Sequence, residues 1–203
     1  MTTITTLDEL QALYGESHER SRRKELPRLI EPYRALIEAS PFVVLASVGP
    51  DGLDCSPRGD APGFVQVLDD QTLLLPDRPG NNRIDSLRNI VRDPRVGLLF
   101  LIPGSHTTIR MNGTAIVTAD PELLASFEKA GKQPRSAVVV TVNEIYTQCG
   151  RAVLRAKLWD PERHVDPADI PTAGDILKER SEGAFDAETY DREWAGRAKK
   201  TMW

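Results

Sequence analysis

The sequence has no hydrophobic run that could cross a membrane. Its longest, Val96-Gly-Leu-Leu-Phe-Leu-Ile102, is the length of a strand, whereas a spanning helix needs about 20 apolar residues. The opening MTTITTLDEL has no basic segment leading into an apolar one, so no secretory signal is expected. Cysteine is scarce: Cys55 and Cys149 are two in 203 residues. They do not form a disulfide framework and point to a reducing, cytoplasmic setting. Basic residues are outnumbered, 26 Lys and Arg against 30 Asp and Glu, for a net charge of −4. Duplex binding needs a basic face, so nucleic acid is not expected as the main partner. No G-x-G-x-x-G motif follows a strand, and neither a P-loop nor a G-x-S-x-G elbow occurs; the common dinucleotide, NTP and serine-hydrolase signatures are missing. His18, His106 and His164 stand far apart with no second ligand at metal spacing, so no metal is expected.

What is present is the ordinary composition of a globular chain, 40% hydrophobic and 28% charged, at a length suited to one domain with extensions. The negative charge is uneven: residues 1–39 carry net −1, residues 40–159 net +1 and residues 160–203 net −4. A nearly neutral middle therefore holds arginines set among strands and turns, and arginine is the side chain best shaped for phosphate or carboxylate.

The pattern along the chain predicts helices first. Thr6-Leu-Asp-Glu9 spells a capping box before Leu7, Leu10, Leu13 and Tyr14, and Gly15 ends that helix. Leu26, Leu29, Ile30, Tyr33, Leu36 and Ile37 continue at helical spacing, broken or kinked at Pro27 and Pro32. From Pro41 the pattern turns to strands. These run over Phe42–Val48, from Leu53 toward Pro57, through a hairpin joining Phe64–Leu68 to Thr72–Leu75, over Val96–Ile102, along Thr107–Thr118 and from Ala137 toward Tyr146. The lack of polar alternation in Val96–Ile102 predicts burial on both faces. Asn112-Gly113 suits either a two-residue hairpin turn or a bulge in one long strand. Short helices are expected near Ile84–Val91, Pro121–Lys129 and Gly150–Trp159. About six strands with only short helices between them predict a mainly β (α+β) antiparallel barrel. The polar tail after residue 160 holds little core material besides Trp194 and Trp203; it suits partial disorder or wrapping around a partner subunit. The resulting division is a helical extension over 1–40, a barrel over 41–159 and an acidic tail over 160–203.

Two stretches carry the chemistry. Ser56-Pro-Arg-Gly-Asp60 ends a strand. Pro76-Asp-Arg-Pro-Gly-Asn-Asn-Arg83 leads into a helix at Ile84. A loop with a glycine, two amides and an arginine at a helix N-terminus suits an anion, because exposed N–H groups and the helix dipole both favour one. The bland alternative is that Asn81 or Asn82 caps the helix and the arginines are solvated.

The stretch Ser56–Gly63, followed by Leu73-Leu-Leu-Pro-Asp-Arg-Pro-Gly-Asn-Asn-Arg-Ile-Asp-Ser-Leu-Arg-Asn89, resembles the pyridoxamine 5′-phosphate oxidase-like flavoproteins, specifically a bacterial FMN-dependent subgroup. Val96–Gly104, Ile109–Gly113 and Cys149–Trp159 continue the likeness, which covers residues 15 to 160. It implies a six-stranded split β-barrel with FMN at a homodimer interface. Asn81, Asn82 and Arg83 would hold the phosphate. Ser56, Arg58 and Gly59 would approach it or the ribityl chain, and Pro76 and Asp77 would lie beside the ring or ribityl. Arg110 would reach the cofactor from the partner subunit, while Gln148 and Lys157, with Arg155 as a further candidate, would complete the far side. The likeness also favours the bulge at Gly113. It implies an oxidoreductase passing electrons or a hydride through flavin N5, with a small-molecule substrate or a donor such as NAD(P)H. Alternatives on the same fold are a flavin- or haem-binding module without turnover and a deazaflavin-dependent reductase. The pyridoxamine phosphate oxidases proper carry Ser-Arg-Lys where this chain has Asn81-Asn82-Arg83, and their C-terminal Trp and Arg motif has no counterpart here. FMN is therefore expected without pyridoxamine phosphate as the assigned substrate.

Overall fold

A computed structural model describes residues 2–16 and 19–203; His18 lies outside them. The capping box at Thr6 forms. Glu9 N–H donates to Thr6 Oγ1 and the Glu9 carboxylate accepts from Thr6 N–H, starting helix α1 (Leu7–Tyr14) with Gly15 as its C-cap. A single turn, α2 (Glu19–Arg22), precedes α3 (Glu31–Glu38). The helical pattern is broken at Pro27 and Pro32 as expected: residues 23–30 are not helical, and Pro32 sits in the first turn of α3, where its missing N–H costs nothing. The 1–40 segment divides accordingly. No residue of α1 is buried, whereas Leu29, Tyr33 and Ile37 join the main core.

Seven strands follow: β1 (Phe42–Gly49), β2 (Gly52–Gly59), β3 (Gln66–Val67), β4 (Thr72–Pro76), β5 (Arg95–Leu101), β6 (Thr108–Thr118) and β7 (Ala137–Gln148). They form one antiparallel sheet in the order β2-β1-β5-β6-β7-β4-β3. The first arm of the expected hairpin, 64–68, is reduced to the two-residue β3, and the sheet has one strand more than the six-stranded barrel that the resemblance implies. Helix α4 (Asp85–Arg92) packs Ser86, Asn89 and Ile90 onto the sheet, and the buried Asn89 amide donates to Ser47 Oγ at 3.1 Å. Short helices α5 (Pro121–Ala125) and α6 (Arg151–Ala156) follow, the first capped by Asp120. The tail is folded: α7 (Ala173–Arg180) and α8 (Ala187–Thr201) pack together. No helix among the described residues is long and apolar enough to cross a membrane.

The strands alternate faces, and one face builds the core. Val43 and Leu45, Val96, Leu98 and Phe100, Ile109 and Met111, Val138, Val140, Val142 and Ile145, and Leu73 and Leu75 belong to a single buried cluster. The opposite face of β5 is not covered. Leu99 is 36% exposed, which corrects the expectation of burial on both faces. Leu53 and Ile116 are also exposed. A smaller cluster of Leu74, Leu124, Phe127 and Ala137 covers the outer face near β4.

The two ends of the sheet meet without a ladder between them. In a flat sheet β2 and β4 would stand five strand spacings apart, roughly 24 Å. Yet Asp60, just past β2, accepts a hydrogen bond from Arg78 Nε, just past β4, at 2.8 Å, and from Lys129 Nζ at 2.9 Å. The sheet must therefore curl on itself, closed at this corner by side chains. Burial pushes the Asp60 carboxyl up, but the Lys129 hydrogen bond, the Ala61 N–H and the Arg78 charge outweigh it and leave it below the ordinary carboxylate value.

The register of β6 against β7 slips between Asn112 and Gly113, so the Asn-Gly pair is a bulge in one continuous strand. A Cβ on Gly113 would lie 2.2 Å from the Thr141 carbonyl oxygen. That clash is with backbone and has no cheap relief. Gly113→Ala should lower stability by about 3 kcal/mol, the upper end of overpacking costs. The check is a fall in the urea midpoint at unchanged m-value.

Candidate functional site

The expected site residues fall into three groups. The first lies at the closed corner. Ser56 and Arg58 sit opposite Leu45 and Val43 on the core-facing side of β2, while Gly59 points its face the other way. Pro76 ends β4, buried, and Asp77 follows, half-buried, with its N–H donating to Ser136 O. Burial raises the Asp77 carboxyl above its ordinary value, and the charges of Arg58 and Arg135 pull it back only in part. Arg58 and Asp77 thus stand within electrostatic reach of each other across the sheet ends. Arg58 otherwise folds back to donate to the Pro57 carbonyl at 2.9 Å.

The second group is the loop into α4. Neither asparagine caps the helix. Asn81 Oδ1 accepts the Arg83 N–H at 3.1 Å in a local turn, and Ile84 stands at the N-cap position with no side-chain cap. Asn82 (φ 58°) and Ile84 (φ 53°) are both left-handed. For a β-branched residue this conformation costs on the order of 1–3 kcal/mol, a strain that concentrates at binding loops. The Arg83 side chain is 74% exposed and donates from Nε to Asp85 at 2.8 Å. Ser86, in the first turn of α4, is buried, and its Oγ has no hydrogen-bond partner.

The third group stands apart. Arg110 lies on the outer face of β6, its guanidinium 5.8 Å from the Tyr146 ring centre. Gln148 is two residues further along the same face of β7. Lys157 is the left-handed C-cap of α6, 3.9 Å from Asp160. Among the described residues no hydrogen bond, ion pair or ring contact joins these three to the 76–83 loop within one chain. Two open depressions mark the surface. One, of 340 Å³, lies between the β1–β2 turn and α4, lined by Asp54, Asp85, Arg88 and Asn89 among others. The other, of 320 Å³, lies on the outer face and includes Ala46, Val48, Gly97 and Asn112. None of the expected site residues lines either.

Sequence reasoning assigned no role to Asp60, Arg78, Lys129 or Arg135. The first two lie inside the very stretches singled out for chemistry, and their pairing is a tertiary fact. Both cysteines are free and exposed rather than buried. No group of three or more metal-ligating side chains occurs among the described residues.

Residues 29–149 match the family model described as pyridoxamine 5′-phosphate oxidase. The chain belongs to that family. No curated protein matches it. Among solved structures it is similar to HupZ of Group A Streptococcus, at 14% identity over 60% of this chain and 94% of that one, TM-score 0.48. It is also similar to a Lactobacillus delbrueckii protein assigned to the pyridoxamine 5′-phosphate oxidases, at 26% identity over 61% and 98%, TM-score 0.47. A third is a Clostridium acetobutylicum protein related to general stress protein 26, at 13% identity over 58% and 86%, TM-score 0.44. The family match leaves out α1 and everything from residue 150 onward.

The raised Asp77 carboxyl gives a pH signature. The native state keeps this proton to higher pH than the unfolded chain, so stability falls as pH rises from the ordinary 3.8 through the native value. Asp77→Asn removes that dependence. Its stability relative to the parent should improve between about pH 3 and pH 7, measured as the difference in urea midpoints. A difference that stays flat with pH would remove Asp77 from this role.

Proposed function

We propose that the chain is an FMN-dependent oxidoreductase whose curled sheet is a split β-barrel and which works as a cytoplasmic homodimer. The observation that carries this reading is the strained 76–83 loop ahead of an uncapped helix, inside a chain of the pyridoxamine 5′-phosphate oxidase family. The residues present fit a phosphate there. Left-handed Asn82 and Ile84 turn the backbone of the loop in the manner of anion-binding nests. The first turn of α4 has no side-chain cap, and Ser86 Oγ is an orphan. Arg83 is exposed and, among the described residues, its guanidinium pairs with Asp85, so it can be shared with an oxyanion.

In this reading Asn81, Asn82 and Arg83 bind the phosphate. Ser56, Arg58 and Gly59 line the approach from β2, with Arg58 the second cation. Pro76 supplies a rigid apolar wall, and Asp77 holds its proton more tightly than a surface carboxyl beside it. When bound, FMN supplies electron or hydride transfer through its N5, with a small-molecule substrate or a donor such as NAD(P)H at the other end. The protein's share is to bind, orient and exclude water.

The dimer rests on the exposed sheet face. Leu53 is 85% exposed and Ile116 63%, and Leu99 shares their face with no cover. Uncovered apolar side chains gathered on one sheet face suit an interface. Arg110 is paired directly with Leu99. Burying this face against a second copy would therefore carry Arg110, and with it Gln148, to the interface, where one subunit's Arg110 can serve its neighbour's loop. Lys157 would complete the far side from α6.

Purified protein should be yellow and keep flavin absorbance through gel filtration. Titrating apo-protein with FMN, a deazaflavin and haem decides among cofactors, and failure to take up FMN overturns this reading. NAD(P)H reduction of the bound flavin at a useful rate separates an enzyme from a storage module. Arg83→Ala should weaken FMN binding by about 1.5–3 kcal/mol, the range for a charged hydrogen bond, while Arg88→Ala, one turn on, should leave it unchanged.

Placing a charge on the exposed face tests assembly separately. Leu99→Asp should convert the dimer to monomer by light scattering and lower FMN affinity along with it. A monomeric parent protein would remove the interface.

A further inference from the structure

Residues 150–203 lie outside the family match, yet one of them reaches the 76–83 loop. The Trp203 ring centre is 5.0 Å from Arg78 Cζ. Arg78 is an immobile platform: its Nε donates to Asp60 and its Nη1 to the Phe127 carbonyl at 3.1 Å, and its side chain is only 19% exposed. An arginine over the face of an indole within about 6 Å is a favoured cation–π pair. Trp203 is half-buried, whereas Trp194 on the body of α8 is 60% exposed.

The rest of the tail is held to itself. Asp191 of α8 accepts from Thr172 Oγ1 and from Gly174 N–H at the start of α7, Phe185 packs edge-on against Tyr190, and Arg197 stacks on Tyr190 at 4.5 Å. Ala187 is the one buried residue among those described in α8. Among the described residues, the Trp203–Arg78 contact is the one hydrogen-bond, ion-pair or ring link between α8 with its following residues and the loop. The helical hairpin is thus a coherent unit fastened to the loop at one point.

We propose that the α7–α8 hairpin is a cover over the cofactor loop, latched by Trp203 on Arg78. Closed, the latch stiffens residues 77–83 by loading the Asp60–Arg78 joint. Open, it frees the loop and lets cofactor and substrate exchange. The consequence for cofactor exchange rests on the FMN reading above; the stiffening does not.

The test uses the full-length protein. Hydrogen exchange of the apo form follows the amides of Asp77 and Arg83, which donate to Ser136 O and Asn81 Oδ1, in the parent, Trp203→Ala and Trp203→Phe. Trp203→Ala should speed their exchange roughly three- to tenfold, the factor matching a partly exposed cation–π contact. Trp203→Phe should fall between, and the exchange of core strands should stay unchanged. In FMN-loaded protein the release rate, read by recovery of flavin fluorescence, should rise by a similar factor. Unchanged loop exchange in apo Trp203→Ala overturns the latch whether or not flavin binds. Faster exchange in the core strands as well as the loop overturns it too, since the ring would then be a general stabiliser. A parent protein that does not bind FMN overturns the proposed function, and the apo exchange still decides the latch.

Discussion

The fold turns on one joint, the carboxylate of Asp60 held between Arg78 and Lys129. Asp60 is 14% exposed in its side chain and Arg78 19%, so neither charge would be tolerated here alone. Breaking such a buried pair strands its partner in low dielectric, a penalty larger than the attraction the pair contributes. Among the described residues no backbone ladder joins β2 to β4. The ion pair closes that gap. It also places Arg58 and Asp77 within electrostatic reach of each other, and it fixes the platform on which Trp203 rests. The candidate site, the closure of the sheet and the docking of the tail therefore share one group of atoms.

The loop beside this joint carries its strain openly. A left-handed Ile84 at an uncapped helix start is a poor choice for stability alone. Asn or Gly would adopt that backbone at lower cost. The conformation persists because α4 is pinned elsewhere, by Ile90 in the core and by the Asn89–Ser47 hydrogen bond. The outer face of β1, β2 and β5 shows the complementary economy. Apolar residues on it are left uncovered by any element of their own chain, and Arg110 shares that face. In the proposed dimer the loop of one copy would supply the anion cradle, and the uncovered face would bring up Arg110, which one chain keeps remote.

Local signals in the sequence were legible where a single segment decides. Thr6 and Glu9 cap α1, Asp120 caps α5, and Gly49 to Gly52 turns β1 into β2. They misled where the outcome depends on contacts between segments. Leu26, Leu29 and Ile30 read as helical by spacing but precede α3 in extended chain, Leu26 bridging Ile145 and Leu29 joining the core. The uninterrupted apolar run of β5 reads as doubly buried, yet Leu99 on its outer face is exposed. Asn81 and Asn82 read as caps, but a two-residue turn captures the first and the second turns left-handed. Of the candidate site, the stretches at 56–60 and 76–83 were visible as composition and motif. The partnership of Asp60 with Arg78, the approach of Arg135 to Asp77 and the reach of Trp203 were not.

The sequence by itself determined the alternation of strands and short helices, the membership of the pyridoxamine 5′-phosphate oxidase family and the segments where polar chemistry gathers. Each of these is a property of residues within a few positions of one another, set by backbone sterics, side-chain period and capping. Only the tertiary structure decided that the sheet curls until Asp60 meets Arg78, that Arg110 stands away from the loop it is expected to serve, and that an acidic tail returns to rest an indole on the site. Those outcomes depend on which distant surfaces share a desolvated contact. That choice is made by the packing of the whole core and leaves no periodic trace in the chain.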